Sequence, residues 1–385
     1  MSGPGPIRNL LLTLFGACCT LLLLPAICKP QEEEKFKVIE VPLSVSVKEV
    51  PSRKLLDAKI YRILVTQQFA VLVGERSAWF MQGAGSPKPL SRFATFPRGF
   101  NWYAGGCVAG DRIVVGVGNY SEQTKKEEEG TSPGGFVGGP DPVGLLVINP
   151  DPPKIELIKS FKVVLAPPES GWTAPGYSEI PKSLTPEVES CSWGGGYLYI
   201  GEFSDISRLD LRSRTAEILT YEDLGSDKPA MWKGPDALWY TAAQSEGYTW
   251  VANLKNSGEK GDGYHPLNYE LTYPDSVLRY EGRLLVSSAA GVVEIQPSRK
   301  TYVHYKTTED KKKMAVYDLS IINGGLWGTR DDGFVSFDLA ARSAVIFRLQ
   351  GNQVSNDIKS LGWVGGRWLV GTAKGLVEVS PESLR

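Results

Sequence analysis

The sequence predicts an all-β fold, a β-propeller with seven blades. Two observations lead to this prediction: a strand–turn–strand phrase recurs along the chain, and most copies lie 40–46 residues apart. In the clearest copy, residues 366–379, an apolar strand ends in Gly371-Thr372, and a Lys-Gly turn leads into a second apolar strand. A four-stranded blade repeats every 40–45 residues, whereas ankyrin and tetratricopeptide units are shorter and helical. The period therefore favours blades.

Each copy ends its first strand on a small residue. These residues are Gly74, Gly116, Gly201, Thr241, Ser287, Gly328 and Gly371, with successive gaps of 42, 85, 40, 46, 41 and 43 residues. The long gap contains one further strand pair, residues 144–148 and 154–158, and two loop-like stretches near 119–142 and 166–186. We assign the gap to one blade with two insertions and predict seven blades, with eight as the alternative.

The two ends of the chain predict how the ring closes. The last copy stops after residues 377–379, which correspond to the third strand of a blade. Residues 36–41 alternate apolar and polar side chains, the pattern of a separate strand near the N-terminus. We expect this strand to complete the last blade as its fourth strand, because doing so removes two exposed sheet edges.

Residues 1–28 differ in kind from the rest. Arg8 precedes an apolar run over residues 10–28, and a polar, glutamate-rich stretch follows. This pattern is typical of an export signal or a membrane anchor, and lipid attachment at Cys18 is a third alternative. We predict a secreted, periplasmic or membrane-anchored protein on the extracytoplasmic side, in which residues 29–385 form the propeller and residues 10–28 provide any membrane attachment.

Composition excludes several functions. A net charge of −1 gives no electrostatic basis for nucleic-acid binding. His265 and His304 are the only histidines, and the sequence contains no nucleophile elbow, phosphate loop or spaced Cys/His cluster. Propeller cofactor motifs are absent as well. We therefore expect no metal and no cofactor, and a monomer.

Two cysteines, Cys107 and Cys191, follow the apolar N-terminal run. They precede the glycines of their repeats by nine and ten residues, which indicates the innermost strands of neighbouring blades. Export permits a disulfide, but equivalent positions on adjacent blades are too far apart for one. We expect two buried free cysteines.

An acid or amide recurs before the first strand of each blade. The residues are Asp57, Asn101, Glu187, Asp227, Asp275, Asp318 and Asp357. Propeller symmetry would place them in a ring around one mouth of the central channel, where they could bind cations or a basic partner. Asx residues also start turns by accepting backbone N–H groups, so a purely structural role is the alternative for each.

Aromatic residues divide into core and candidate ligand contacts. Trp239, Trp327 and Trp368 lie inside repeated strands and should pack between blades, whereas Trp102, Trp172 and Trp232 lie in or beside the connections between blades. Loops commonly carry binding residues. Our candidate ligand-binding residues are Arg98, Asn101, Trp102, Tyr103, Trp172, Trp232, Tyr264, His265, Asp318 and Asp357.

The last copy resembles the two-component-regulator propeller repeat, and the last three copies match that repeat best. The matching residues are 354–358 (Val-Ser-Asn-Asp-Ile), 366–372 (Gly-Arg-Trp-Leu-Val-Gly-Thr) and 374–376 (Lys-Gly-Leu). In that family the propellers are extracytoplasmic sensor regions, often ahead of a membrane span and a kinase. No such segment follows the last copy before Arg385, so the resemblance implies a stand-alone ligand- or protein-binding propeller.

We expect a non-catalytic propeller that binds a protein, peptide or carbohydrate through its inter-blade loops. The predicted contact surface includes residues 97–103, 166–186 and 255–275. The alternative is a hydrolase or lyase with carboxylates at the channel mouth. For glycoside hydrolysis it would need two carboxylates about 5–10 Å apart.

Overall fold

A computed structural model describes the chain over the following residues: 32–44, 59–74, 77–92, 102–119, 141–150, 153–165, 182–186, 188, 190–201, 205–221, 229–243, 249–256, 265–267, 274–288, 291–296, 301–307, 315–351, 355–380 and 384. Apart from a single 3-10 turn at Leu90–Arg92, every regular element in these ranges is a β-strand.

The strands form seven antiparallel blades. Blade 1 contains β2 (Ile60–Val65), β3 (Phe69–Gly74), β4 (Ala78–Gln82) and β5 (Lys88–Pro89), and blade 2 contains β6 (Trp102–Ala109), β7 (Arg112–Asn119), β8 (Asp141–Asn149) and β9 (Lys154–Ile158). Blade 3 contains β12 (Ser190–Gly194), β13 (Tyr197–Gly201), β14 (Asp205–Asp210) and β15 (Thr215–Tyr221), and blade 4 contains β16 (Met231–Lys233), β17 (Ala237–Ala243), β18 (Thr249–Lys255) and β19 (His265–Leu267).

The remaining blades come from the last third of the chain. Blade 5 contains β20 (Pro274–Tyr280), β21 (Arg283–Ser288), β22 (Gly291–Gln296) and β23 (Thr301–Thr307), and blade 6 contains β24 (Leu319–Ile322), β25 (Gly325–Arg330), β26 (Gly333–Asp338) and β27 (Ser343–Gln350). Blade 7 contains β28 (Ile358–Val364), β29 (Arg367–Thr372) and β30 (Gly375–Val379). The prediction of an all-β seven-bladed propeller is confirmed.

The recurring phrase is the second and third strand of each blade. Second strands are buried along most of their length, as in β3 and β29, because a neighbouring blade packs on each face of the sheet. This explains why the phrase is a nearly continuous apolar run rather than an alternating one. The 85-residue gap joins blades 2 and 3, and residues 144–148 and 154–158 lie in the third and fourth strands of blade 2.

The small residue near the end of each second strand makes room for the next blade. A Cβ on Gly116 would lie 2.7 Å from Val188, which leads into blade 3. A Cβ on Gly201 would lie 2.6 Å from Pro229, which leads into blade 4, and one on Gly371 would lie 2.9 Å from Ile60 of blade 1. Real Cβ atoms do not approach other atoms this closely, so the repeat uses glycine for spacing.

The ring closes by packing of blade 7 against blade 1. The first strands of successive blades contact one another around the axis, and β28 contacts β2. Ile63 and Val364 belong to one buried cluster that joins these two blades. Gly362 permits the approach, since a Cβ there would lie 2.5 Å from the Ile63 side chain.

The N-terminal strand, β1 (Glu32–Ser44), forms as predicted but not in the predicted place. Residues 32–36 pair in parallel with β23, and residues 37–44 pair in parallel with β27. The strand therefore joins the outer edges of blades 5 and 6, and blade 7 has three strands among the described residues. The expectation that β1 completes the last blade is wrong. An alternating pattern identifies a strand without identifying its partner edge.

Packing explains the position of β1. Phe36 is fully buried, and its ring meets Tyr305 of blade 5 at 4.8 Å and Phe337 of blade 6 at 6.4 Å between centroids. On the exposed side, Glu40 forms a 3.2 Å ion pair with Arg348 of β27. The strand thus fills the cleft where the outer edges of two blades diverge.

A second added strand covers blade 3. Strand β10 (Phe161–Leu165) pairs in parallel with the outermost strand β15, and β11 (Ser183–Leu184) pairs antiparallel with β10. Most residues of the predicted insertions near 119–142 and 166–186 lie outside the described residues. The described residues that flank them are the ends of β7, β8 and β10 together with residues 182–186.

Because neighbouring strands in a blade are antiparallel, their ends lie on two opposite faces of the ring. One face holds the start of each first strand and the end of each second strand, and we call it the inter-blade face. Residues 274–275, 318 and 357 lie at this face because β20, β24 and β28 begin there. The turns between second and third strands, such as residues 331–332, lie at the same face.

Candidate functional site

The described part of the central channel contains an ion pair between blades that are not neighbours. The Arg62 Nη1 atom, on the first strand of blade 1, donates a 2.9 Å hydrogen bond to the Asp318 Oδ2 atom of blade 6. Blade 7 lies between blades 6 and 1 on the ring, so the Arg62–Asp318 hydrogen bond passes the inner edge of blade 7. Arg62 also interacts electrostatically with Cys191 of blade 3 and Asp275 of blade 5. These contacts place the guanidinium in the channel.

Both partners are enclosed by protein yet remain accessible to solvent. The side chains of Arg62 and Asp318 are 39% and 23% exposed. The carboxylate of Asp318 raises the pKa of Arg62, and burial opposes that shift. Side chains that line a channel are surrounded by protein on several sides and still reach solvent, as this charged pair does.

Asp275 is the third member of this channel cluster, which we define as Arg62, Asp275 and Asp318. Its carboxyl makes no hydrogen bond or ion pair within the part of the chain that the structure describes. Desolvation by the surrounding walls, together with the nearby Asp318 and Asp331 carboxylates, raises the pKa of Asp275 to about 7, although Arg62 partly counters this. The residue is solvent-exposed, so the desolvation comes from the surrounding channel walls rather than from direct packing.

Two acids in the neighbouring β25–β26 turn, Asp331 and Asp332, already have partners. Tyr317 donates a 2.6 Å hydrogen bond to the Asp331 carboxylate, which raises the pKa of the Tyr317 hydroxyl to about 12. Arg330 contacts Asp332 at 2.7 Å, and Arg348 contacts Asp332 at 2.9 Å. The turn at residues 331–333 is the hairpin connection between β25 and β26.

The predicted ring of acids is described at three of its seven positions. Asp318 is close enough to raise the pKa of Asp275, whereas Asp357 is held by a 2.6 Å ion pair with Lys359. The other four positions, Asp57, Asn101, Glu187 and Asp227, lie outside the described residues. Three acids at this face are thus located, and the complete ring stays a hypothesis.

Among the other candidate ligand residues, the structure describes the side chains of two. Tyr103 is buried between blades 1 and 2, where burial raises its pKa to about 12. Trp232 is half-buried and packs against two clusters, one between blades 4 and 5 and one between blades 5 and 6. Trp102 and His265 begin β6 and β19, but their side chains lie outside the description. Arg98, Asn101, Trp172 and Tyr264 lie outside the described residues altogether.

The tryptophans expected to pack between blades do so. Trp327 of blade 6 and Trp368 of blade 7 meet at 4.3 Å between ring centroids, within the cluster that joins these blades. Trp239 packs against the cluster between blades 4 and 5. These residues therefore hold neighbouring blades together, with Trp368 buried and Trp239 and Trp327 half-buried.

The cysteines are free and half-buried. They do not occupy equivalent positions, because Cys107 pairs with Val114, two residues before Gly116, whereas Cys191 pairs with Ile200, one residue before Gly201. A one-residue offset points a side chain to the opposite face of a strand. Cys107 therefore faces blade 3, and Cys191 faces back to blade 2. The argument that equivalent positions keep them apart is wrong.

Sequence reasoning missed Arg62, the residue that organises the channel cluster. A cation inside the apolar strand Ile60–Val65 was the available signal. The role of this arginine depends on ring closure, which brings blade 1 across from blades 5 and 6.

No group of three or more His, Cys, Asp or Glu side chains suited to a metal ion occurs among the described residues. Nor does any helix within the described ranges have the length and apolarity needed to cross a membrane.

Comparison with known proteins shows the fold. No protein-family model matches the chain, and no curated protein matches it in sequence. Among solved structures, the chain is similar to the extracellular domain of the putative hybrid two-component system BT4673 from B. thetaiotaomicron, with 12% identity and a TM-score of 0.55. The match covers 90% of this chain and 39% of that one, so this chain spans well under half of its length.

Two further propellers are similar to this chain. PorZ, a bacterial surface component of the type-IX secretion system of Porphyromonas gingivalis, has 12% identity and a TM-score of 0.53, with 84% of this chain and 46% of that chain covered. YCF48, in a structure bound to D1 peptide, also has 12% identity and a TM-score of 0.53, with 90% of this chain and 98% of that chain covered. At such identities the similarity shows a shared fold.

Proposed function

We propose that this chain is an extracytoplasmic, non-catalytic propeller that binds a protein or peptide at its inter-blade face. In this proposal the channel cluster receives a basic side chain of the partner. Asp275 carries the argument, because it is a solvent-accessible carboxyl with no hydrogen bond or ion pair within the described residues and a pKa of about 7.

A cationic group fits this position on electrostatic grounds. Arg62 is already paired with Asp318, so an ionised Asp275 gives the cluster a net charge of −1. A lysine or arginine beside Asp275 would favour its charged form and lower its pKa. Binding of a basic residue would therefore release a proton below about pH 7 and strengthen as the pH rises through that value.

The comparisons support this role and this location. Similar propellers include an extracellular domain, a bacterial surface component and a protein whose structure contains a bound peptide. The apolar run over residues 10–28 supports export to the same side of the membrane.

Peptide titration of the full chain tests the proposal. Isothermal titration with hexalysine and with hexaglutamate, between pH 5.5 and 8.5, compares the natural protein with Asp275→Asn. We expect hexalysine to bind more tightly as the pH rises, and Asp275→Asn to weaken binding at pH 8 about tenfold, roughly the 1.4 kcal/mol of one charged contact.

A matched variant separates a specific site from general charge attraction. Asp111 is 77% exposed and lies in the β6–β7 turn on the opposite face, so Asp111→Asn should leave hexalysine binding unchanged. Equal losses in the two variants, or hexaglutamate binding as tight as hexalysine binding, would contradict the proposed site.

The channel cluster also favours a second candidate function, carboxylate-assisted hydrolysis. Asp275 retains its proton up to about pH 7, and Asp318 is ion-paired beside it. Glycoside hydrolases combine a protonated and an ionised carboxyl in this way. The test is turnover of a panel of chromogenic glycosides and lactones, which Asp275→Asn and Asp318→Asn should each abolish. A panel without turnover would leave the binding function as the better account.

A further inference from the structure

Cys107 and Cys191 approach each other across the interface of blades 2 and 3. Strands β6 and β12, on which they lie, are the first strands of neighbouring blades and contact each other at the channel. The one-residue offset described above directs both side chains into this interface from opposite sides.

The neighbours of each cysteine confirm the orientation. Val114 and Ile200, the residues paired with Cys107 and Cys191, both belong to the buried cluster between blades 2 and 3. Both cysteines pack against this same cluster. The residues that flank Val114 in sequence, Ile113 and Val115, belong instead to the cluster between blades 1 and 2.

The two thiols are within hydrogen-bonding reach of each other, and each residue is half-buried rather than sealed in the core. Burial and the neighbouring thiol raise the pKa of Cys107 well above its ordinary range. Cys191 also interacts electrostatically with the Arg62 guanidinium in the channel. The Cys191 sulfur therefore lies near a positive charge, and the Cys107 sulfur lies near the Cys191 sulfur.

We propose that Cys107 and Cys191 form a redox-active dithiol that exchanges with small-molecule disulfides to give a disulfide bond between blades 2 and 3. The Cys191 thiolate attacks one sulfur of the small disulfide, forming a mixed disulfide and releasing one thiol. Cys107 then loses its proton and attacks the Cys191 sulfur, which releases the second thiol. Two protein thiols are oxidised and one small disulfide is reduced to two thiols.

The bond would have a defined structural effect. Cys107 and Cys191 are 84 positions apart, and the segment between them includes both predicted insertions as well as strands β7 to β11. Bridging the two ends of this segment restricts the unfolded chain and fixes two blades together at the channel. The compartment predicted from residues 10–28 is one in which such bonds persist.

The experiment uses the full chain carrying Cys18→Ser, Cys19→Ser and Cys28→Ser, so that only the two propeller cysteines titrate. The protein is equilibrated with glutathione disulfide or with dithiothreitol, free thiols are counted with a chromogenic disulfide reagent, and a non-reducing peptide map is recorded. We expect two thiols after reduction and none after oxidation, with one linked peptide pair containing Cys107 and Cys191, and a melting temperature several degrees higher in the oxidised protein (~5 °C).

Single variants separate an internal bond from independent modification. Cys107→Ser and Cys191→Ser should each lose the linked peptide and the redox-dependent change in melting temperature while keeping the melting temperature of the reduced protein within about 2 °C. The proposal is overturned if both thiols persist after equilibration with glutathione disulfide, if each carries its own glutathione, or if the linked peptides derive from two chains.

Discussion

Phe36 provides a direct measure of how strongly β1 holds blades 5 and 6 together. Its side chain is fully buried and contacts Tyr305 and Phe337 edge to face. Phe36→Ala removes these contacts and leaves a cavity between two blades that strand pairing prevents from collapsing. Substitutions of this type cost about 3–5 kcal/mol, so we expect a loss of about 4 kcal/mol in the free energy of unfolding.

The effect is large enough to measure by thermal unfolding. The entropy of unfolding of a domain of this size makes 4 kcal/mol equivalent to a decrease of about 5 °C in melting temperature. The control is Ile39→Ala on the same strand, where the side chain is 46% exposed and the expected change is within about 1 °C. If Phe36→Ala and Ile39→Ala lower the melting temperature by the same small amount, β1 does not stabilise the ring as we argue.

Three further predictions follow from the channel and the blade interfaces. The pKa of Asp275 is raised to about 7, so ionisation of this carboxyl lowers the stability of the folded protein as the pH rises from about 4 to about 7. The melting temperature of Asp275→Asn should therefore exceed that of the natural protein at pH 8 and equal it near pH 4. Gly371→Ala would place a Cβ 2.5 Å from Ser360 and 2.9 Å from Ile60, and should lower the stability measured in urea by about 1–3 kcal/mol, with Ser360→Ala restoring part of the loss. Trp368→Ala should cost about 3–5 kcal/mol in the same urea titration, because the ring is buried between blades 6 and 7.

The sequence predicts blades well because blade packing imposes a local pattern. A second strand buried on both faces must be apolar along most of its length, and a residue near its end must be small where the next blade approaches, as at Gly116 and Gly371. Both requirements act within a single repeat, so the amino-acid sequence of a single repeat is enough to show them. The count of seven blades and the core positions of Trp327 and Trp368 follow from them.

Features that join distant repeats are less accessible to sequence reasoning. Nothing near residues 32–44 indicates that the outer edges of blades 5 and 6 are their partners, since those edges depend on the whole ring. Arg62 acquires its role only because closure brings Asp318 to 2.9 Å from it. For the cysteines, a difference of one residue in strand register determines which neighbouring blade each side chain faces. Only the pairing partners, Val114 and Ile200, reveal this difference.

The parallel pairing of β1 has a consequence for the order in which the chain folds. Glu32 pairs with Val303 and Ser44 with Gln350, separations of 271 and 306 residues. Contacts this distant in sequence form slowly and cannot form before the last third of the chain has been synthesised. Until then β1 and the outer strands of blades 5 and 6 have unpaired edges, which are prone to pair with other chains. Strand β1 precedes every other described strand in the chain, yet it is therefore among the last to pair with its partners.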